Sequence, residues 1–362
     1  MPRRPFFAVV ALLLTGLTGT FAPAAEPSLE ALGMFEMPDT VAGPNDTKIP
    51  LVGLSGITWL GESTWAAVLD NSDLMITFTL DLSADGKPLG VSGIELKKIA
   101  ARHDYEDIAP CPPALQKRIS GRLEKRGLPA PGRCVLICDE DTPAIRGMAI
   151  ADGRLLGAVP LPEIVKRCRP NKGLESLSVE PDGSRIWTAN EEAFATDGPE
   201  SGRSHGTVIR LIAIPTPRDS TTQAAADSTP PDAAQFAYQV DPPHEMVAID
   251  GQMPLSGVSA LAALGGGKLL VLERSGGVGL PPFENRIYLV DTAGGQDVSG
   301  VESLATTKAE PLKKKLLWKD SLGCNVEGLA LGPDVKGGRA VVGIADNGHV
   351  GGKTPLVFLR IK

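Results

Sequence analysis

The chain has 362 residues, 41 glycines, 31 prolines and a net charge of −7. With 36 Lys and Arg against 43 Asp and Glu there is no broad basic field for a polyphosphate backbone, which argues against a nucleic-acid partner. The length is ample for one large core, and Gly/Pro-rich turns between short strands favour an all-β fold.

In chain order, the first segment reads as an export signal. Arg3 and Arg4 form its basic start, Phe6 to Leu14 its apolar stretch, and Ala22-Pro-Ala24 its cleavage site. The apolar stretch is too short to span a bilayer, and no later segment reads as membrane-spanning. Removal of residues 1–24 would leave a single domain, 25–362, secreted or periplasmic, and a monomer is expected.

From residue 53 the chain writes one phrase five times. A short apolar stretch opens with Gly, Ser, Glu or Asp, turns, and returns as a second apolar stretch ending in acids or amides. The copies run from Gly53-Leu-Ser-Gly-Ile57 to Leu69-Asp-Asn-Ser72, and from Tyr105-Glu-Asp-Ile108 to Cys138-Asp-Glu-Asp141. They continue from Gly173-Leu-Glu-Ser-Leu177 to Ala189-Asn-Glu-Glu192, from Gly257-Val-Ser-Ala-Leu261 to Leu272-Glu-Arg-Ser275, and from Asn325-Val-Glu-Gly-Leu329 to Ala345-Asp-Asn-Gly348. Each copy reads as a β-hairpin; Pro181-Asp-Gly-Ser is the clearest turn. Antiparallel pairing would set Ser55 beside Asp70, Glu175 beside Asn190 and Glu191, Ser259 beside Glu273, and Glu327 beside Asp346. Repeated hairpins at these periods predict a β-propeller of six blades, the long intervals holding insertions or a degenerate blade.

Between the copies lie a helix expected over Pro113 to Gly127 and a short one over Leu161 to Cys168. Residues 215–234, rich in Thr, Ser, Ala and Pro, read as a flexible surface loop. Lys313-Lys-Lys315 reads as the solvated start of a strand. Of the five cysteines, Cys134 and Cys138 share one predicted strand and lie too far apart to bond. Cys111 with Cys134, closing the insertion, and Cys138 with Cys168 both remain open pairings.

The repeat acids carry the chemistry. Bare carboxylates cannot converge without strong repulsion, whereas Ca²⁺ takes six to eight oxygen ligands of this kind. The expected ligands are Asp70, Asn71, Asp139, Asn190, Glu273 and Asp346. Glu106, Asp107, Glu175, Glu191 and Glu327 are the expected catalytic acids. His103, Arg146, Lys172, Arg274 and His349, each beside a repeat acid, would hold a phosphate group. No paired C-x-x-C supports zinc, and no G-x-S-x-G supports a serine hydrolase.

Taken in order, Gly53-Leu-Ser-Gly-Ile-Thr-Trp59, Asp104-Tyr-Glu-Asp-Ile108, Asn171-Lys-Gly-Leu-Glu-Ser-Leu-Ser178, Asn190-Glu-Glu-Ala-Phe194 and Asn325-Val-Glu-Gly-Leu329 resemble the phytase-like "esterase-like activity of phytase" family of exported bacterial proteins. The resemblance covers roughly residues 50 to 360. It implies an exported propeller, similar by analogy to calcium-dependent phytases, acting on small phosphorylated or ester substrates. The alternative is a non-catalytic, calcium-stabilised propeller that binds a ligand or protein partner.

Overall fold

The computed structural model describes residues 26–43, 47–216, 232–244, 254–277, 281–320, 323–346 and 354–362. The leader, most of the predicted surface loop (217–231) and His349 lie outside the described residues.

Strand β1 (Leu29–Glu36) comes first, then a small ribbon of β2 (Thr40–Ala42) and β3 (Lys48–Pro50). A four-stranded blade follows: β4 (Leu54–Gly61), β5 (Thr64–Leu69), β6 (Ser72–Leu82) and β7 (Pro88–His103). The second blade is β8 (Tyr105–Pro110), β9 (Cys134–Asp139), β10 (Ala144–Ala149) and β11 (Leu155–Val159). The third is β12 (Leu174–Val179), β13 (Arg185–Asn190), β14 (Val208–Pro215) and β15 (Ala234–Gln239). The fourth is β16 (Leu255–Gly265), β17 (Lys268–Gly276), β18 (Phe283–Asp291) and β19 (Lys314–Asp320). In the last, β20 (Asn325–Val335), β21 (Gly338–Asp346) and β22 (Pro355–Ile361) pair in sequence and β1 adds the outer strand. Leu29 lies opposite Ile361 and Glu36 opposite Pro355, so the chain's beginning closes the ring onto its end.

The propeller therefore has five blades, not six. The long intervals between repeats hold insertions rather than a hidden blade. One of these is helix α1 (Pro113–Lys125) between β8 and β9. Pro sits at its first turn, where the missing N–H costs nothing, and Arg122 and Lys125 complement its C-terminal dipole. The second expected helix is a 3₁₀ turn, Glu163–Arg167. Lys314 turns inward instead of standing in water, onto Asp241 and Glu273.

Strands β4, β8, β12, β16 and β20 are the inner strands and touch one another around the axis. The strands next to them are buried on both faces; β9, Cys-Val-Leu-Ile-Cys-Asp, is buried throughout, whereas outer β11 is half exposed. Side chains alternate across each blade. Met75 accordingly packs toward the second blade and Ile76 toward the last. One apolar cluster fills each gap between neighbouring blades. No helix among the described residues is long and apolar enough to cross a membrane.

Candidate functional site

Each inner strand carries one extra residue near its start. Pairing slips between Leu54 and Ile57, Tyr105 and Ile108, Leu174 and Ser176, Val258 and Ala260, and Val326 and Gly328. These are β-bulges, which bend a strand and re-aim the side chain at the extra position. The residues at the bulges are Ser55, Glu106, Glu175, Ser259 and Glu327. Two residues before each stand Gly53, Asp104, Gly173, Gly257 and Asn325. These pair with Asp70, Glu140, Glu191, Arg274 and Asp346 at the end of the second strand. The site is thus a five-fold set of equivalent positions at one mouth of the channel.

The blades interlock there. Ser55 Oγ donates to Glu106 Oε2 at 2.8 Å. Gly53 N donates to Asp346 Oδ1 at 3.1 Å and Gly173 N to Glu140 Oε1 at 2.7 Å, so an end acid of one blade holds the inner strand of the next. A Cβ on Gly173 would lie 2.9 Å from Glu140 Cγ, and one on Gly257 2.6 Å from Glu191 Cγ. Glycine is what lets each acid lie against its neighbour's backbone.

The carboxylates crowd. Asp70, Asp104 and Glu106 offer oxygens within 4.8 Å of one another, and so do Glu106, Glu140 and Glu175. Asp104 is buried and its Oδ1 has no hydrogen-bond partner. Burial, reinforced by Asp104 and then by Glu327 and Asp346, pushes Asp70 up to about 8. Burial raises Glu140 to about 7 despite the Gly173 amide, and Glu327 to about 7 despite Arg274. Glu106 and Glu175 are driven well above the ordinary range by burial and by the surrounding acids. Hard oxygen donors, one of them an orphaned buried atom, in a pocket that resists ionisation, form a donor set suited to a hard divalent cation.

Two bases border the acids. Lys172 Nζ and Arg274 Nη2 each lie 2.6 Å from Glu191, on opposite carboxylate oxygens. Arg274 Nη1 lies 3.8 Å from Glu327 Oε1, which also accepts from Asn325 Nδ2 at 2.6 Å. Burial opposes the charge on both bases, but Glu191 together with the other acids of the mouth outweighs it and holds each above its ordinary pKa.

A family model for phytase-like proteins, described as "Esterase-like activity of phytase", matches residues 49–349. The chain belongs to the phytase-like family. No curated protein matches it. Among solved structures it is similar to the PQQ-bound aldose sugar dehydrogenase from Streptomyces coelicolor, with 12% identity and a TM-score of 0.39 over 94% of this chain and 100% of that one. It is also similar to the periplasmic gluconolactonase of Pseudomonas aeruginosa, with 12% identity and a TM-score of 0.37 over 85% of each chain. Neither likeness carries an argument about activity.

In this phytase-like protein the mouth brings together Asp70, Glu106, Glu175, Glu191, Glu327, Asp346, Lys172 and Arg274 from the expected residues. Asn71 supports Asp70 by donating to its Oδ1. Other expected residues are placed elsewhere, because the bulge offsets the register by one. Asp139, Asn190 and Glu273 pair with Tyr105, Leu174 and Val258, so they face away from the mouth. Arg146 binds Asp139 through Nε at 2.8 Å and Nη2 at 2.6 Å, and His103 Nδ1 lies 3.2 Å from it, so all three form a separate group. Asn190 donates to Glu192 O and accepts from Arg210 N. Glu273 accepts from Tyr238, Lys314 and Asp241 N. Asp107 joins two blades, accepting from Leu177 N at 2.7 Å and Ile108 N at 2.8 Å. Asp104 and Glu140 complete the mouth, although neither was expected as a ligand or a catalytic acid; Glu140 stood only among the repeat acids. Aligning the repeats on the bulge would have found them: Asp104 precedes Glu106 as Gly53 precedes Ser55, and Glu140 follows Asp139 as Glu191 follows Asn190.

Proposed function

We propose that this mouth binds Ca²⁺ and that the protein is an exported, metal-dependent phosphoesterase acting on small phosphate esters. The observation that carries the reading is the ring of buried acids around the unpartnered Asp104 Oδ1. Asp70, Asp104, Glu106, Glu140 and Glu175 would hold the cation. When bound, Ca²⁺ would neutralise phosphate charge and make a coordinated water more acidic.

The chain's own residues supply the rest. Arg274 and Lys172 meet the phosphate oxygens, the guanidinium through paired N–H donors. Glu191 positions both bases and keeps them charged. Glu327 is the proton acceptor: it borders Arg274 and titrates near neutral pH, the range in which a general base works best.

A second reading rests on depth. Glu106 and Glu175 are only 7% and 6% exposed, a burial suited to a cation that holds the blades together without turnover. Hydrolysis of p-nitrophenyl phosphate, p-nitrophenyl acetate and phytate, with Ca²⁺ or with EDTA, separates the two. Phosphate release lost with EDTA, restored by Ca²⁺ and abolished in the folded Glu175→Gln/Glu327→Gln variant supports the phosphoesterase. No turnover, with Ca²⁺ still raising the melting temperature, supports the structural cation. Acetate release insensitive to EDTA would sink both.

A further inference from the structure

The five cysteines are thiols in this structure, and all but Cys168 are buried. Two of them face each other. Strands β8 and β9 pair Ala109 with Leu136 and Pro110 with Val135, and the next step sets Cys111 opposite Cys134. Cys111 N donates to Cys134 O at 3.2 Å, so the ladder continues through this pair. Directly opposed residues on antiparallel strands have Cα atoms about 4.5–5.5 Å apart. A disulfide needs about 4.4–6.8 Å. One competing partner is engaged otherwise: Cys138 Sγ accepts from Asp107 N at 3.1 Å.

We propose that Cys111 and Cys134 form a disulfide that closes the α1 insertion at the base of the second blade. The oxidant is a disulfide of low molecular weight or of a thiol oxidoreductase. The Cys134 thiolate attacks one of its sulfurs, forming a mixed disulfide and releasing the first thiol. The Cys111 thiolate then attacks the Cys134 sulfur and expels the second thiol. Two protein thiols and one external disulfide become one protein disulfide and two external thiols, with both protons carried away.

The location gives the bond a job. Cys111 and the three prolines around it line the cavity at the far mouth of the channel, opposite the acids. The chain between Cys111 and Cys134 is anchored by α1, through Ile119 and its neighbours on the second blade, and on its return by Arg154 Nη2, which donates to Pro129 O at 2.8 Å, and by Ile150 N, which donates to Arg133 O at 3.0 Å. A covalent link at the neck of this insertion restrains its unfolded excursions and fixes that rim.

The test uses purified, reduced full-length protein equilibrated with oxidised and reduced glutathione. The protein is then unfolded with an alkylating agent and digested without reductant. The expected result is a peptide pair joined through Cys111 and Cys134, with alkyl groups on Cys138, Cys168 and Cys324. Reduction, or the Cys111→Ser/Cys134→Ser variant, is expected to lower the melting temperature by about 4 °C. Alkylation of all five cysteines, or a bridge from Cys138 to Cys168, would overturn the assignment. If the double variant does not fold, the peptide map of the wild-type chain still decides.

Discussion

The two mouths of the channel are made by the same five inner strands and could hardly differ more. Where the strands begin, bulges gather acids that face one another. Where they end, a cavity of about 330 Å³ is lined mainly by apolar side chains such as Ile108, Leu177, Val179 and Leu329. The far mouth's charged residues are satisfied singly. Glu180 accepts from Trp187 Nε1 at 2.9 Å and Gly267 N at 3.1 Å, and Arg339 Nε donates to Gly332 O at 2.8 Å. At the acid mouth Glu106 and Glu175 are held against their own ionisation by burial and by the acids around them. Buried like charges destabilise a fold, so an arrangement that keeps them together points to a site rather than to packing.

That contrast can be broken at either end. The largest effect is expected from Glu106→Ala, which removes the carboxylate common to both acid clusters. Calcium affinity, read by titration calorimetry, should fall about 100-fold or more, while the melting temperature without calcium holds or rises. An unchanged affinity would place the cation elsewhere. At the far mouth, Leu177→Ala should cost about 2–5 kcal/mol in denaturant unfolding and leave calcium affinity unchanged. Leu177 is 2% exposed and packs between the second and third blades. A loss of calcium binding in this variant would show that the two mouths are coupled.

The smallest effect is a pH dependence that sharpens the comparison. Asp70, Glu140 and Glu327 titrate at about 8, 7 and 7 in the folded chain, above their ordinary carboxylate values. Between the ordinary range and those values the folded state binds more protons than the unfolded one, so stability falls as pH rises. Calcium-free protein should therefore lose several degrees of melting temperature from about pH 5 to about pH 8. If the mouth holds Ca²⁺ as proposed, saturating Ca²⁺ should flatten or reverse that slope, since the ionised acids would be its ligands. A calcium-free melting temperature that climbs over this window would contradict the buried-acid account.

The repeated phrase was legible in the amino-acid sequence, and with it the hairpins, the all-β class and the gathering of acids at strand ends. Apolar alternation and turn chemistry are local properties, so they survive in one dimension. The blade number was not legible, because an interval long enough for an extra blade is equally long when filled by α1 or by a loop. The closure of β1 onto β22 joins the two ends of the chain and leaves no local mark. The convergence of residues at the candidate site was legible to within one residue. Glu175, Glu191, Glu327 and Arg274 meet at the mouth as expected, but Asp139, Asn190 and Glu273, expected as ligands, each lie one residue before the position that faces it. Residue spacing counts positions along the chain, whereas a bulge adds a residue that the opposite strand does not match. Only the hydrogen-bonded ladder shows which side chain of each pair faces the channel and which faces the neighbouring blade.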